Sequence, residues 1–179
     1  MLENLLIKAG VYAAEKHKYQ RRKGFNQVPY INHPLKVAKL LSECGENEES
    51  LLIAAILHDV VEDTDATVQD IAEQFNKEIS ELVMEVTDDK DLPYAVRKDL
   101  QVKGAPGLSE KAKKLKIADK TCNIRDILSY PLDWSTERKL SYLEWAKEVV
   151  DGCRDVNSEL EKSFDETHQE GFEKLQNEL

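Results

Sequence analysis

Residues 51–63 read Leu-Leu-Ile-Ala-Ala-Ile-Leu-His-Asp-Val-Val-Glu-Asp, and this stretch decides how the chain folds. It is apolar at almost every position up to the histidine, which is typical of a helix that is buried on all sides. We predict such a helix over residues 49–62. His58 and Asp59 continue its buried stripe, and Glu62 and Asp63 follow one turn later. Because buried polar groups need partners, this end of the helix is the first candidate for a functional site.

The negative charge of the chain is concentrated around the same helix. The 179 residues include 35 Asp and Glu against 25 Lys and Arg, a net charge of -10. Residues 40–76 hold ten of these acids and no Lys or Arg, so the rest of the chain is balanced. Carboxylates at a helix C-terminus are also disfavoured by the helix dipole, so we expect a cation there, and a bound metal ion would supply it. This distribution argues against binding to nucleic acid.

The length of the chain suits one well-packed domain, and we predict a single domain over residues 1–179 with its core at about residues 8–155. No apolar run approaches the roughly 18 residues of a membrane span. The N-terminus lacks the basic flank and long apolar core of a signal peptide. We therefore expect a cytoplasmic protein with no membrane partner. Cys44, Cys122 and Cys153 form no C-x-x-C pair, so neither a disulfide framework nor a thiolate zinc site is indicated.

Helical periodicity dominates the rest of the chain and predicts an all-α fold, a helical bundle. A first helix carries an apolar face from Leu2 to Ala13 and leads into a basic segment. A second helix begins at Pro34 and ends at Gly45. Further helices are predicted over residues 109–130, 136–150 and 154–176.

Shorter elements are predicted between residues 67 and 109. Thr67 and Asp70 have the spacing of a capping box at the start of a helix. Asn76 suits a left-handed turn between two helices. Pro93 is expected to begin a short helix, and residues 103–109 are expected to form a loop because they contain two glycines and a proline.

Two residues elsewhere in the chain are candidates to complete a metal site with His58 and Asp59. His33 lies just before Pro34, and Asp119 lies in the long helix after apolar positions. Two imidazoles and two carboxylates with open positions for water suit Mn²⁺, Fe²⁺ or Zn²⁺ in a catalytic type of site. Taken alone, His33 is a helix-start residue and Asp119 a buried acid paired with a Lys or Arg.

A basic cluster lies upstream of His33 and includes Arg22 and Lys23. It is either a solvated helix end or, if its loop reaches the metal, a binding site for an anion such as phosphate. Asn123 lies one turn after Asp119, where its amide could bond a base or sugar. Four lysines of the long helix are expected to face solvent: Lys111, Lys113, Lys114 and Lys116. His17 and His168 are interpreted as ordinary surface or boundary histidines.

These segments together resemble a known family. The matching stretches are Gln-Arg-Arg-Lys at 20–23, Pro-Tyr-Ile-Asn-His-Pro at 29–34, Leu-His-Asp-Val-Val-Glu-Asp-Thr at 57–64, Val-Thr-Asp-Asp-Lys at 86–90, Ala-Asp-Lys at 118–120 and Tyr-Leu-Glu-Trp-Ala at 142–146. The chain is similar to the HD-domain alarmone hydrolases, the hydrolase half of RelA/SpoT proteins, and most of all to their small stand-alone kind. His-Asp alone indicates only a broad superfamily, whereas the two longer motifs together are specific to this branch.

The resemblance implies an HD-superfamily helical bundle that holds one Mn²⁺ through His33, His58, Asp59 and Asp119. It implies removal of pyrophosphate from the 3′ position of guanosine tetra- or pentaphosphate, which leaves GDP or GTP. Glu62 and Asp63 match the family's catalytic pair, which positions or deprotonates the attacking water while the metal polarises the phosphate. Residues that match substrate contacts are Arg22, Lys23, Asn123, Arg138 and Tyr142.

One departure from the family is Phe75-Asn76 in place of Phe-Gly, which Asn tolerates because it can take the same backbone turn. Two other functions remain open. The same site could remove the 2′-phosphate of NADPH or act as a 5′-nucleotidase. The chain could also be a nucleotide-binding module without turnover, although both catalytic carboxylates are present. The preferred substrate, the metal and the oligomeric state are left open.

Overall fold

The apolar stretch that begins at Leu51 forms the centre of a helical bundle. The computed structural model describes residues 4–24 and 26–178. The helices in this part of the chain are α1 (Leu5–Lys16), α2 (Asn32–Glu43), α3 (Glu49–Leu57), α4 (Val60–Asp63), α5 (Val68–Gln74), α6 (Lys77–Val86), α7 (Tyr94–Gly104), α8 (Glu110–Ser129), α9 (Thr136–Asp151) and α10 (Ser158–Gln176). Helices α1, α2, α6 and α8 pack around α3. Leu51, Ile53 and Leu57 are fully buried, as the all-apolar pattern predicts.

The helix predicted over residues 49–62 is interrupted, so that part of the prediction was wrong. Helix α3 ends at Leu57, His58 and Asp59 form a turn, and α4 follows. The ring Nδ1–H of His58 donates to the carbonyl of Ala55 at 2.7 Å. In a continuous helix that carbonyl would accept from the backbone N–H of Asp59. The side chain therefore competes with the helix for this acceptor, and the backbone turns where the site begins.

Three segments differ from the sequence prediction, two of them because an asparagine caps a helix. Asn76 is not left-handed: it has φ of -171°, and its side chain accepts from the backbone N–H of Ile79 at 2.9 Å as the N-cap of α6. Most of the predicted loop at residues 103–109 is helical, since α7 runs to Gly104 and Ala105–Gly107 forms a turn of 3-10 helix. Helix α10 starts at Ser158 rather than at residue 154, because Asn157 caps it.

The all-α fold class is confirmed. Within the described residues the only extended pairing is an isolated bridge between Arg21 and Pro29. The capping box of Thr67 and Asp70 forms as predicted. Among these residues, none of the helices has the length and apolarity needed to cross a membrane. Helix α8 packs against α2, which brings the middle of the long helix to the turn between α3 and α4.

Candidate active site

Four side chains from three parts of the fold meet at the turn between α3 and α4. His33 lies at the start of α2, and Asp119 lies in the middle of α8. The Nε2 atom of His33 is 3.1 Å from Oδ1 of Asp119 and 3.8 Å from Oδ2 of Asp59. The Nε2 atom of His58 is 3.1 Å from Oδ2 of Asp59 and 3.8 Å from Oδ1 of Asp119. Each imidazole thus faces both carboxylates, and all four line a cavity of about 150 Å³.

The hydrogen bonds of His58 fit this arrangement to a metal ion. Because Nδ1 keeps the proton that it gives to the Ala55 carbonyl, the ring in its neutral form would present the Nε2 lone pair to the cavity. Nε2 is buried, and no described residue forms a hydrogen bond with it. The Asp59 oxygen at 3.1 Å lacks the alignment of a hydrogen bond. A buried lone pair facing two carboxylates suits a borderline divalent cation.

Three further side chains fix the orientation of the two carboxylates. The Tyr30 hydroxyl donates to Oδ2 of Asp59 at 2.7 Å. Asp119 accepts from the Asn123 amide at 2.6 Å and from the Lys120 ammonium at 3.0 Å. Such contacts hold metal ligands in one rotamer. Tyr30 and Lys120 lie inside the motifs that carry the family resemblance, but sequence spacing gave them no role.

The imidazoles and carboxylates of the cavity shift one another's pKa values. Burial lowers the pKa of His33. Burial also acts to lower the pKa of His58, but the adjacent Asp59 and Asp119 outweigh it and raise that pKa to about 10. The pKa values of both carboxyl groups are lowered in spite of burial, chiefly by His58 for Asp59 and by Lys120 for Asp119. Without a metal ion, the raised pKa favours a second ring proton on Nε2 of His58, and a bound cation would take the place of that proton between the same two carboxylates.

Glu62 and Asp63 occupy different positions. Glu62 borders both the small cavity and a larger cleft beside it, whereas Asp63 borders the cleft. Burial raises the pKa of Glu62, and the backbone N–H of Asp88, which donates to its Oε2 at 3.1 Å, only partly offsets this effect. A carboxylate with a raised pKa beside a metal cavity is suited to act as a general base.

Cations from distant parts of the chain reach this acidic segment, and these pairs are not evident in the sequence. The ammonium of Lys90 pairs with Asp63. The guanidinium of Arg97 lies 3.8 Å from Glu62, and Lys16 pairs with Asp65 at 2.9 Å. A metal ion is therefore not needed to offset these acids. The charges that a bound cation would offset are those of Asp59 and Asp119, which line the small cavity.

The larger cleft has a volume of about 440 Å³ and continues from the metal cavity, with which it shares Tyr30, Glu62 and Asn123. Its wall combines cations with aromatic rings, including Arg22, Lys23, Tyr94, Tyr130, Trp134 and Tyr142. Cations match phosphate oxygens, and aromatic faces match a purine base. The cleft therefore has the chemistry of a nucleotide site.

Arg22 and Asn123 form hydrogen bonds with other side chains of the protein, which the sequence did not predict. The guanidinium of Arg22 donates to Oδ1 of Asn123 at 2.6 Å and to Asp126 at 3.1 Å. The amide NH₂ of Asn123 donates in turn to Asp119. Asn123 thus links a candidate metal ligand to a cation of the cleft, rather than offering a free amide to a base or sugar.

The remaining predicted substrate contacts surround Trp134. The ammonium of Lys23 lies 5.9 Å from the centre of a Trp134 ring, and the guanidinium of Arg138 lies 4.3 Å from it. Arg138 therefore approaches the cleft across this indole. Tyr142 packs against Trp134 with ring centres 6.1 Å apart, and burial raises the pKa of its hydroxyl.

Two residues that were expected near solvent are buried. Lys116 is 8% exposed, and its ammonium donates to the carbonyl of Val86 at 2.8 Å. Val86 ends α6, where the negative end of the helix dipole attracts a cation. His17 is 2% exposed and packs against the Tyr30 ring. His168, between Phe164 and Phe172 in α10, fits the boundary interpretation.

Comparisons with known proteins identify the family to which the chain belongs. Residues 9–141 match the family described as HD domain. The guanosine-3′,5′-bis(diphosphate) 3′-pyrophosphohydrolase MESH1 of Xenopus tropicalis is 50% identical over 163 residues, which cover 90% of this chain and 91% of that protein. The human protein of the same name is 47% identical, with 89% and 90% covered. A solved structure, described as a metazoan SpoT ortholog that hydrolyzes ppGpp, superposes with a TM-score of 0.91 at 43% identity, covering 96% of this chain and 98% of the other.

Proposed function

Because this chain belongs to the HD-domain family, and within it to the MESH1 group of pyrophosphohydrolases, we propose that it hydrolyses guanosine 3′,5′-bis(diphosphate). Water adds to the phosphorus bonded to the 3′ oxygen, the bond between them breaks, and that oxygen leaves with a proton. The products are pyrophosphate and GDP, or GTP from the pentaphosphate. The observation that most supports this proposal is the position of Glu62 on the border between the donor cavity and the nucleotide-sized cleft.

The proposed cofactor is one Mn²⁺ per chain, with Fe²⁺ and Zn²⁺ as alternatives that the same donors suit. His33, His58, Asp59 and Asp119 would hold it. When bound, the ion supplies Lewis-acid polarisation of the phosphate and acidifies the attacking water. Tyr30, Lys120 and Asn123 keep the carboxylates in place for it through the hydrogen bonds described above.

Glu62 is the proposed general base, because its raised pKa favours acceptance of a proton from water. Asp63 orients that water or the leaving group from the cleft side. Its Oδ2 accepts from the Gln20 amide at 2.8 Å, which fixes the plane of the carboxylate. Arg97 and Lys90, which pair with these two acids, provide positive charge where phosphate oxygens enter.

In the cleft, Lys23 and Arg22 are proposed to attract the phosphates, and the Trp134 and Tyr142 rings to contact the base or ribose. Arg138 supports the Trp134 ring and adds charge at the rim. The partner is thus a small guanine nucleotide. A cytoplasmic location stays a prediction, and the oligomeric state stays open.

A substrate panel tests this proposal. Purified protein with Mn²⁺ is given guanosine tetraphosphate, NADPH and a nucleoside 5′-monophosphate, and kcat/KM is compared. We expect the highest value for guanosine tetraphosphate, with pyrophosphate released. Asp59→Ala is the inactive control. Preference for NADPH or the monophosphate would assign another phosphohydrolase activity, and nucleotide binding with no turnover under any divalent metal would indicate a binding module.

A further inference from the structure

His17 is a buried polar residue that the proposed mechanism leaves unexplained. It is the C-cap of α1 and is 2% exposed. Its Nδ1 atom lies 2.6 Å from Oε1 of Gln20. Gln20 borders the cleft, and its amide nitrogen lies 2.8 Å from Oδ2 of Asp63. A continuous chain of two hydrogen bonds therefore connects the end of α1 to a member of the catalytic pair.

The chemical groups in this series of hydrogen bonds fix the direction of both bonds. An ionised carboxylate only accepts, so the side of the Gln20 amide that faces Asp63 must be its NH₂ group. The amide oxygen then faces His17, and it also only accepts. The proton of the His17 ring therefore resides on Nδ1 and points at Gln20. The tautomer of His17 and the orientation of the Gln20 amide are both set by Asp63.

A second contact connects His17 to the metal cavity. Its ring packs on Tyr30 with centres 4.8 Å apart, and the Tyr30 hydroxyl donates to the candidate ligand Asp59. A backbone hydrogen bond also connects Tyr30 with Gln20, since the N–H of Tyr30 donates to the carbonyl of Gln20 at 3.1 Å. One buried imidazole thus supports the water-handling side and the metal side of the site together.

We propose that His17 is a positioning residue for the hydrolysis, which orients Asp63 through Gln20. This inference rests on the proposed function. The Asp63 carboxylate is held on one oxygen by the ammonium of Lys90, which is half exposed, and on the other by Gln20. When substrate phosphates attract Lys90, the hydrogen bonds from His17 to Gln20 and from Gln20 to Asp63 keep the carboxylate in the same plane.

Three variants separate the hydrogen bond of His17 from its packing. His17→Phe keeps a ring against Tyr30 and removes the N–H. His17→Asn removes the ring and places an amide N–H near the position of Nδ1. Gln20→Leu breaks the chain at its centre. His168→Phe is the matched control, because it makes the same chemical change at a partly buried histidine between Phe164 and Phe172.

We expect His17→Phe and Gln20→Leu each to lower kcat by roughly 10–100-fold, as loss of a supporting hydrogen bond does at other sites, with little change in KM. The double variant should lose no more than either single variant, because both break one chain. His17→Asn should recover most of kcat. Full kcat in His17→Phe, or additive losses in the double variant, would overturn the proposal.

A spectroscopic measurement keeps this test separate from that of the proposed function. In metal-free wild type, the Nδ1–H of His17 should give a slowly exchanging downfield proton resonance, and Asp63→Ala should shift or remove it by releasing the Gln20 amide. If the wild type fails to hydrolyse guanosine tetraphosphate while Asp63→Ala still moves the resonance, the proposed function fails and the connection to Asp63 stands. A resonance that is unchanged in Asp63→Ala would refute the connection from His17 through Gln20 to Asp63.

Discussion

Replacement of Lys120 by methionine should destabilise the metal-free protein far more than the metal-loaded protein. Lys120 is 4% exposed, and its ammonium lies 3.0 Å from Asp119, which is itself 8% exposed. Asp119 holds the pKa of this lysine above its usual range even though burial acts to lower it. The methionine side chain fills a similar volume but leaves Asp119 as a buried charge with less compensation.

The size of this effect follows from the burial of the pair. Removal of one partner of a buried ion pair costs about 3–5 kcal/mol. We expect a loss at the lower end of this range, because His33 also faces Asp119 at 3.1 Å and compensates part of its charge. A loss of about 3 kcal/mol lowers the melting temperature of a domain of this size by roughly 6–12 °C. With saturating Mn²⁺ the divalent charge should replace that of the lysine, so the loss should shrink to about 1 kcal/mol, comparable with one hydrogen bond.

The assay is urea unfolding followed by circular dichroism, in EDTA and in Mn²⁺. Lys116→Met is the matched control, because Lys116 lies one turn earlier in α8, is also buried, and donates to a backbone carbonyl instead of a carboxylate. Burial lowers the pKa of Lys116, so its removal also relieves a desolvation cost. Lys116 also lines the small cavity but pairs with none of the candidate ligands, so we expect a loss near 1 kcal/mol that changes little with metal. Equal losses in the two lysine variants, or a Lys120→Met loss that is the same with and without Mn²⁺, would refute the reasoning.

Three other predictions concern the site. Glu62→Ala should keep the metal and lower kcat by about 10²–10⁴-fold, the usual contribution of a general base, whereas Asp59→Ala should lose metal and turnover together; metal analysis and kinetics of both variants check this. Lys23→Ala should mainly raise KM, because its proposed role is to attract phosphates and not to touch the reacting atoms; unchanged kinetics would indicate that Lys23 is only a solvated surface residue. Metal affinity should rise with pH: the pKa of His58 is about 10 in the metal-free protein, so at pH 7.5 binding must displace its proton, and affinity should increase about tenfold per pH unit below that pKa. Calorimetry in buffers of different ionisation enthalpy should then detect about one released proton, and a pH-independent affinity would contradict this assignment.

Much of the fold is predictable from local patterns, because helix periodicity and capping act over a few residues. The capping box at Thr67 and the long helix that carries Asp119 form as the sequence indicates. The break after Leu57 was not predicted, because it depends on a hydrogen bond from the His58 ring that helical spacing does not reveal. Asn76 was assigned to a left-handed turn. Asn is common both in such turns and at helix N-caps, and the structure shows the N-cap.

The four candidate metal ligands, which the structure brings together, were predicted because His58 and Asp59 continue a buried apolar stripe and because His33 and Asp119 lie in motifs of the family. Their supporting residues could not be chosen in this way. Lys116 and Lys120 belong to a lysine-rich stretch that is typical of a solvated helix face, yet each ammonium finds a buried acceptor. His17 lies 46 residues from Asp63 in the sequence and reaches it only through Gln20, so its position depends on how α1 and α4 pack. Contacts of this kind arise from tertiary structure alone.

The side chain of Asn123 joins the two halves of the site, since its NH₂ group holds Asp119 and its oxygen accepts from Arg22. A ligand that moves Arg22 alters its hydrogen bond to Asn123, and thereby the hydrogen bond from Asn123 to Asp119. An ion bound to Asp119 alters the same two hydrogen bonds from the other end. Thermodynamic reciprocity then requires that the two occupants change each other's affinity by the same factor. Metal affinity measured with and without a nucleotide in the cleft would therefore report how strongly Asn123 couples the two halves of the site.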